Sequence, residues 1–221
     1  MKYGIAFAVL LLAGLAFAIQ PAEDWTPGTQ GKYTQVGNAN VVTEGGNVTP
    51  LNLSSNVSTE KWAGYFGNVT GQIVLAPDNT DMFYTWTWTS ANGGEVCAVA
   101  ASSGFDWSSI AAAVAGDVDT VWGFDTADTD SSTSTMNGNC NLNIAGIAVP
   151  NTACTTMPTS SLESAVVTDG ATAAKSDIAF CVNITAGTGL FDGSTGDYEL
   201  MTAANETAGA TETHYFWLEM N

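Results

Sequence analysis

The sequence predicts an all-β protein: an antiparallel β-sandwich of Greek-key or jelly-roll type, with one short helix and an extended N-terminal arm. Three observations carry that expectation. The aromatic-rich segments alternate with the period of a strand. Gly, Asn and Pro punctuate short apolar runs at fairly regular spacing. Only one stretch has both a helical start and a helical stop.

The first element is an export signal. Lys2 is the only charge in the first 22 residues, and an apolar run from Tyr3 to Ala18 follows it. The run ends in Ala16-Phe17-Ala18, the small-x-small pattern that a signal peptidase reads. It is shorter than the roughly 20 residues that a membrane anchor needs. A pilin-type leader, cut ahead of the apolar run, would leave only a short helix. Cleavage after Ala18 is expected, with residues 19–50 forming the arm and residues 51–221 the body. The mature chain is then secreted, extracellular or at the cell surface, with no membrane segment. The arm is polar, has five glycines and shows only a weak strand pattern from Tyr33 to Val42.

In the body, Gly71 to Leu75 is a short apolar run closed by the turn signal Pro77-Asp78-Asn79. Phe83 to Thr89 puts Tyr84, Trp86 and Trp88 on one face and three Thr on the other. Further strands are expected at Val96–Ala101, Ala165–Thr168 and Ile178–Thr185. The stretch from His214 to Met220 alternates again, with His214, Phe216, Leu218 and Met220 opposite Tyr215, Trp217 and Glu219. Asp106 can cap a helix over Trp107–Ala115 that Gly116 ends. Residues 125–161, rich in Asp, Thr, Ser and Asn, are expected to form a long loop stapled by a disulfide. No internal repeat is present.

Four cysteines in an exported chain imply two disulfides. Cys140 and Cys154 share the polar loop, and Cys97 and Cys181 each lie in a strand candidate, so those pairings are expected. A four-cysteine zinc site normally uses close Cys-x-x-Cys pairs, and the chain has none. Cys181 and Asn183 fall on one face of a regular strand, so a glycan on Asn183 requires that strand to end or bulge nearby.

The chain of 221 residues has 22 acidic residues, four Lys and no Arg, for a formal net charge of −18. Nucleic-acid partners are excluded, because they demand clustered cations. Polarity comes from Thr, Ser, Asn and Gly, a hydroxyl- and amide-rich surface that suits a durable extracellular material. Asn-x-Ser/Thr acceptors for N-linked glycans occur at Asn47, Asn52, Asn56, Asn68, Asn183 and Asn205. Six exceed the two or three that composition alone gives.

Catalytic signatures are sparse. His214 is the only histidine, and no phosphate loop, nucleophile elbow or zincin helix is present. The chain is expected not to be an enzyme, although a glycosidase needs only two carboxylates. The tryptophans offer a sugar-stacking platform, against the plainer reading of a sheet-packing face. The one cofactor with support is calcium, at Asp125, Asp128 and Asp130, where hard oxygen ligands lie close in sequence. A solvated acidic loop is the competing reading, since the glycine and distal Glu of an EF-hand are missing.

The signal, arm, Thr/Ser/Asn-rich body and dense sequons together resemble archaeal secreted β-sandwich surface proteins, the threads and donor-strand bundling pili. The segments Glu44-Gly45-Gly46-Asn47-Val48-Thr49 and Lys61-Trp62-Ala63-Gly64-Tyr65-Phe66-Gly67-Asn68 resemble archaeal exported proteins without a known activity. The resemblance implies a self-assembling subunit whose arm completes a neighbour's sheet. A donor strand in a groove has no room for a glycan, so the donor segment is expected before Asn47, in Tyr33–Val42 or nearer Ile19. The expected role is therefore a structural subunit of an extracellular filament or surface layer. The alternatives are a carbohydrate-binding adhesin and, further down, a secreted hydrolase.

Overall fold

The structure, a computed structural model, describes residues 19–35, 37, 40–78 and 80–221. The expected signal segment 1–18, Val36, Asn38 and Ala39 of the expected Tyr33–Val42 strand and Asn79 of the turn lie outside the described residues. In chain order the strands are β1 (Gln20–Pro21), β2 (Trp62–Gly67), β3 (Thr70–Leu75), β4 (Tyr84–Thr89), β5 (Glu95–Val99), β6 (Ala111–Ala112) and β7 (Gly138–Ile144). They continue with β8 (Ile147–Thr156), β9 (Glu163–Thr168), β10 (Ile178–Asn183), β11 (Thr188–Gly189), β12 (Thr195–Gly196), β13 (Tyr198–Ala203) and β14 (Tyr215–Leu218). Two helices, α1 (Ala115–Trp122) and α2 (Ser132–Thr135), sit between β6 and β7.

The class is all-β, and every strand pair is antiparallel. The central sheet has the order β1-β14-β5-β10-β9-β8-β7, with β6 also paired to β9. β7 to β10 form a meander, and β5 and β14 extend it on the far side. One row of partners runs Trp217, Cys97, Cys181, Ala165, Cys154 across five strands. Strands β5, β9 and β10 are buried on both faces, which is why they read as unbroken apolar runs instead of alternating.

Val96, Ala98, Val166, Ile178, Phe180 and Val182 form one face of the sheet. It is covered by the β2–β13 ribbon through Leu200 and Ala203, by α1 through Val118 and Trp122, and by Trp88. The second layer is thus a two-stranded ribbon plus a helix, not a second broad sheet. On the other face Cys97, Val99, Ala165, Val167, Ala179 and Cys181 pack under Ile110, Leu142, Ile144 and Ile19. Trp107 closes this side, stacked 5.2 Å from Trp217 and 4.4 Å from Phe105 between ring centroids.

Both disulfides have the expected pairing. Cys97 and Cys181 are register partners with Cα atoms 4.1 Å apart, while Cys140–Cys154 ties β7 to β8 at 5.9 Å. β10 stops at Asn183, which is exposed while Cys181 is fully buried. The strand end resolves the conflict between a buried cystine and an outward Asn on one face.

Two expectations are corrected. The helix lies at Ala115–Trp122, not Trp107–Ala115. Asp106 does cap, but it caps a turn, accepting from Ser108 N at 2.9 Å and Ser109 Oγ at 2.9 Å. The following Ala111–Ala112 is small enough to lie beside β9 as a strand. The helix starts where Asp117 Oδ2 accepts from Val114 N at 3.0 Å, and it ends at Gly123 with φ 77. Gly116 sits inside its first turn.

The second correction concerns residues 125–161, which are a folded unit and not a stapled loop. They contain α2 and the β7–β8 hairpin, with Cys140, Leu142 and Ile144 inward and Asn139, Asn141 and Asn143 outward. The hairpin turns at Ala145-Gly146 with φ 53 and 76, the two positive values of a type I′ turn.

Candidate functional site

Two features carry chemistry or assembly potential: the β14 edge of the sheet and a carboxyl pair at one end of it.

At the edge, Gln20 and Pro21 lie opposite Leu218 and Trp217, and Ala22 N donates to Phe216 O at 2.9 Å. Pro is tolerated here because β1 is outermost and its missing N–H has no partner to lose. Ile19, only 6% exposed, packs into the cystine-bearing face. From there to β2 the described residues form no helix or strand, and Trp25, Val42, Val48 and Val57 are exposed. Within this stretch Lys32 reaches Glu60 at 2.5 Å and Gln35 reaches Ser55 at 3.2 Å, and its end is fixed to the body where Thr59 Oγ1 donates to Asp130 at 2.7 Å and Lys61 is buried.

The β3–β4 hairpin projects with Ile73, Val74, Leu75, Phe83, Tyr84 and Trp86 exposed. The expected aromatic stripe therefore packs at one end only. Trp88 is buried, with its Nε1 donating to Asn221 O at 3.1 Å, whereas Tyr84 and Trp86 stack on each other at 4.8 Å in solvent.

The carboxyl pair arises from strand register. Glu95 opens β5 and pairs with Asn183 of β10, and Glu219 N donates to Glu95 O at 2.9 Å just past β14. Alternation puts Glu219, Glu95 and Asn183 in one row on the face that carries Cys97 and Trp217. Glu219 Oε2 accepts from Ala145 N of the β7–β8 turn at 2.5 Å. Gly94, at φ 137, lets the chain pass so close that a Cβ there would stand 2.0 Å from Glu219 O. Both carboxyls are buried, and Glu95 Oε2 has no hydrogen-bond donor. Two carboxylates cannot donate to each other, so one proton must lie between them for the contact to be favourable. Burial first, then the charge of Glu219 and a hydrogen bond to it, push the Glu95 carboxyl up to about 8. A cavity of about 420 Å³ opens beside Glu95 and Asn183, lined also by Gly93, Gly94, Asn141, Leu142, Asn143 and Ile184.

No protein-family model matches the chain, and comparison with curated proteins and with solved structures gives no match. The sites are therefore read from their own geometry.

Asp128 and Asp130 are brought together, but around a protein cation. Lys61 Nζ lies 2.8 Å from Asp128, 2.9 Å from Asp130 and 3.4 Å from Glu206. The hydrogen bond to Asp128 holds the Lys61 pKa above its ordinary value, against the opposing effect of burial and with help from Asp130. Asp125 turns aside and accepts from Ala127 N at 2.9 Å. Calcium at these three residues would have to displace Lys61. Among the described residues, no group of three or more His, Cys, Asp or Glu side chains is placed to hold a metal ion.

His214 is a packing residue. Its Nδ1 lies 3.1 Å from Tyr65 Oη and its Nε2 3.0 Å from Ala203 O, an arrangement that suits the neutral ring with Nε2–H donating. Burial lowers its pKa. The sequon residues Asn47, Asn52, Asn56, Asn68 and Asn183 are exposed, and Asn205 is half-buried with Oδ1 accepting from Thr207 N at 3.0 Å.

The buried carboxylates were not singled out by sequence. Asp197 accepts from Val69 N at 2.9 Å and Gly187 N at 3.2 Å. Glu199 accepts from Phe191 N at 2.6 Å and from Ser160 Oγ. Asp119 accepts from Ser132 N at 2.6 Å and Thr133 N at 2.9 Å. These three are loop staples.

Glu95 gives a pH signature. Its folded-state pKa is raised from 4.5 to about 8, so its contribution to stability is fully present below 4.5 and is lost as pH rises through about 8. The charged group beside it is Glu219, and the cavity next to it is lined by Asn141, Asn143 and Asn183 with no cation. Glu95→Gln is expected to be more stable than the native chain at about pH 8, by about 1–2 kcal/mol. The difference shrinks toward pH 5. Urea midpoints across that range check it, and a gap independent of pH would show that Glu95 is not the titrating group. His214 acts in the opposite sense, costing stability below its unfolded value of 6.5, and is common to both proteins.

Proposed function

We propose that this protein is an exported structural subunit of an extracellular filament or cell-surface layer, assembling by strand addition between copies. The observation that carries this is β1. The segment Ile19–Ala22 closes the β14 edge as a separable piece, joined to β2 only by residues 23–61, which among those described lie outside any sheet. Extended chain spans up to about 3.3 Å per residue, so this connection reaches on the order of 100 Å. The same contacts made on a neighbour's β14 cost little beyond chain entropy, and repeated head to tail they do not close. Main-chain hydrogen bonds supply affinity, and Ile19 supplies register. A donor near Ile19 also stays clear of the exposed sequons Asn47, Asn52 and Asn56. The cystines, the sequons and the Arg-free surface fit an exported, long-lived material.

Register supplies the test. Gln20 and Leu218 are partners. Subunits carrying Gln20→Cys are mixed with subunits carrying Leu218→Cys under assembly conditions and oxidised. Covalent dimers are the expected result. If disulfides form only when both substitutions are in one chain, β1 stays on its own body and strand addition is wrong.

A further inference from the structure

We infer that the cavity beside Glu95 is a binding site for a sugar of the protein's own: the first, uncharged ring of an N-linked glycan carried by Asn183. Nothing in this requires strand addition; it rests only on the exported reading of the chain. Two independent observations meet at one residue. Asn183-Ile184-Thr185 is a glycan acceptor. Asn183 also lines the cavity of about 420 Å³ at the end of β5 and β10. It is the last residue of β10, in register with Glu95 of β5, and just beyond it Ile184 N donates to Gly94 O at 2.8 Å. The acceptor is therefore exposed at a strand end, where a sugar can be attached, and a bond to its Nδ2 delivers the first ring to the mouth of the cavity.

The walls suit a sugar ring, which has hydroxyls around its rim and C–H groups on its faces. Asn141 and Asn143, at outward positions of β7, supply amides. Asn141 Oδ1 accepts from Asn151 N at 3.0 Å, so its Nδ2 is the end left to donate. Leu142 and Ile184 supply apolar surface. No cation lines the space, and burial and Glu219 push the Glu95 carboxyl up to about 8, so the wall is uncharged at neutral pH. An anionic ligand finds nothing to pair with there, whereas a neutral polyol finds amides and apolar surface together. About 420 Å³ falls within the roughly 300–1,000 Å³ of small-molecule sites and holds one ring with ordered water. Asn56 offers the contrast. It borders a cavity of about 360 Å³, but the walls there belong to the arm, outside any sheet, and include charged Lys32 and Glu60. Contacts between the ring and β7 exist only in the folded chain, so the sugar on Asn183 stabilises the fold.

The test begins with peptide mapping of the protein isolated from its native source. Asn183 is expected to carry a glycan, and an unmodified Asn183 overturns the assignment. Sugars at Asn47, Asn52 or Asn56 would then leave export standing, whereas a chain that keeps residues 1–18 and carries no sugar at any acceptor would sink export as well. Thermal unfolding next compares the glycoprotein with Thr185→Ala and Asn183→Gln made in the same cells. Both variants lose the glycan, and the first keeps the Asn183 side chain. A fall in Tm of about 2–4 °C is expected in each. Asn143→Ala should lower Tm in the glycosylated chain and leave it unchanged in the Thr185→Ala background, because Asn143 acts through the sugar. An unchanged Tm on losing the glycan, or an Asn143→Ala effect of equal size in both backgrounds, means that the sugar stands free in solvent and overturns the assignment. Nuclear Overhauser contacts between first-ring protons and Leu142 or Asn143 in the unaltered glycoprotein decide independently of the variants, since a ring in the cavity must give them and their absence places it outside.

Discussion

Replacing Cys97 and Cys181 together with Ala is expected to lower stability by about 4–5 kcal/mol, while the same change at Cys140 and Cys154 costs about 3 kcal/mol. The difference follows from loop length. The first bridge closes a sequence separation of 84 and the second a separation of 14. In the chain-entropy model the denatured chain regains more freedom when the longer loop is opened. Packing acts in the same direction, because Cys97 and Cys181 are fully buried at the middle of the row from Trp217 to Cys154. Removing both sulfurs leaves a void under the Trp107–Trp217 stack. A domain of ordinary stability has only 5–15 kcal/mol in total. The first variant should therefore sit near its unfolding threshold at 37 °C, and the second should not. Urea unfolding of the two double variants checks the order. Equal losses, or a larger loss at Cys140 and Cys154, would mean that neither loop closure nor central burial sets the value.

The legible and illegible parts of this fold separate by physical cause. Strands β3, β4, β5, β9, β10 and β14 were readable because each carries β-branched, aromatic or unbroken apolar runs between turn residues. The two disulfides followed from placing Cys97 and Cys181 on such strands. The β7–β8 hairpin was missed because Asn139, Asn141 and Asn143 fill its outward positions. Asn is a poor strand former, so the alternation with Cys140, Leu142 and Ile144 was hidden by polarity. The helix was misplaced because Asp106 looks like a cap in either setting, and only pairing of Ala111–Ala112 with β9 decides that the chain stays extended there.

The carboxyl pair was half legible. The alternation from His214 to Met220 correctly put Glu219 on the side of Trp217. Nothing in the sequence says that Glu95, 124 positions earlier, is its cross-strand neighbour, because register between distant strands is a tertiary fact. The same limit applies to Lys61. The spacing of Asp128 and Asp130 suggested an external cation, and only the fold brings Lys61 to them.

Deleting Ile19–Ala22 is expected to abolish assembly and leave a folded body. The segment contributes one buried side chain and a short ladder on β14. Burial of Ile19 is worth about 1.5–3 kcal/mol. The segment's ladder is made with β14 alone, so the strand pairings of the rest of the sheet persist. What changes is the edge. β14 is left with unpaired N–H and C=O groups beside a gap where Ile19 packed, which is an acceptor without a donor. Ile19→Asp makes the same test without shortening the chain, because a carboxylate cannot enter the apolar site among Cys97, Val99 and Trp217. Both variants should stay monomeric by light scattering under conditions where the proposed strand addition would drive the native protein into filaments. A mixture provides the sharper reading. The deleted protein still presents an open β14, so in excess it should cap filaments of native subunits and shorten them. Growth of ordinary filaments from the deleted protein alone would place the interface elsewhere. The exposed β3–β4 hairpin, with Ile73, Val74, Leu75, Phe83, Tyr84 and Trp86 in solvent, would then be the next surface to test.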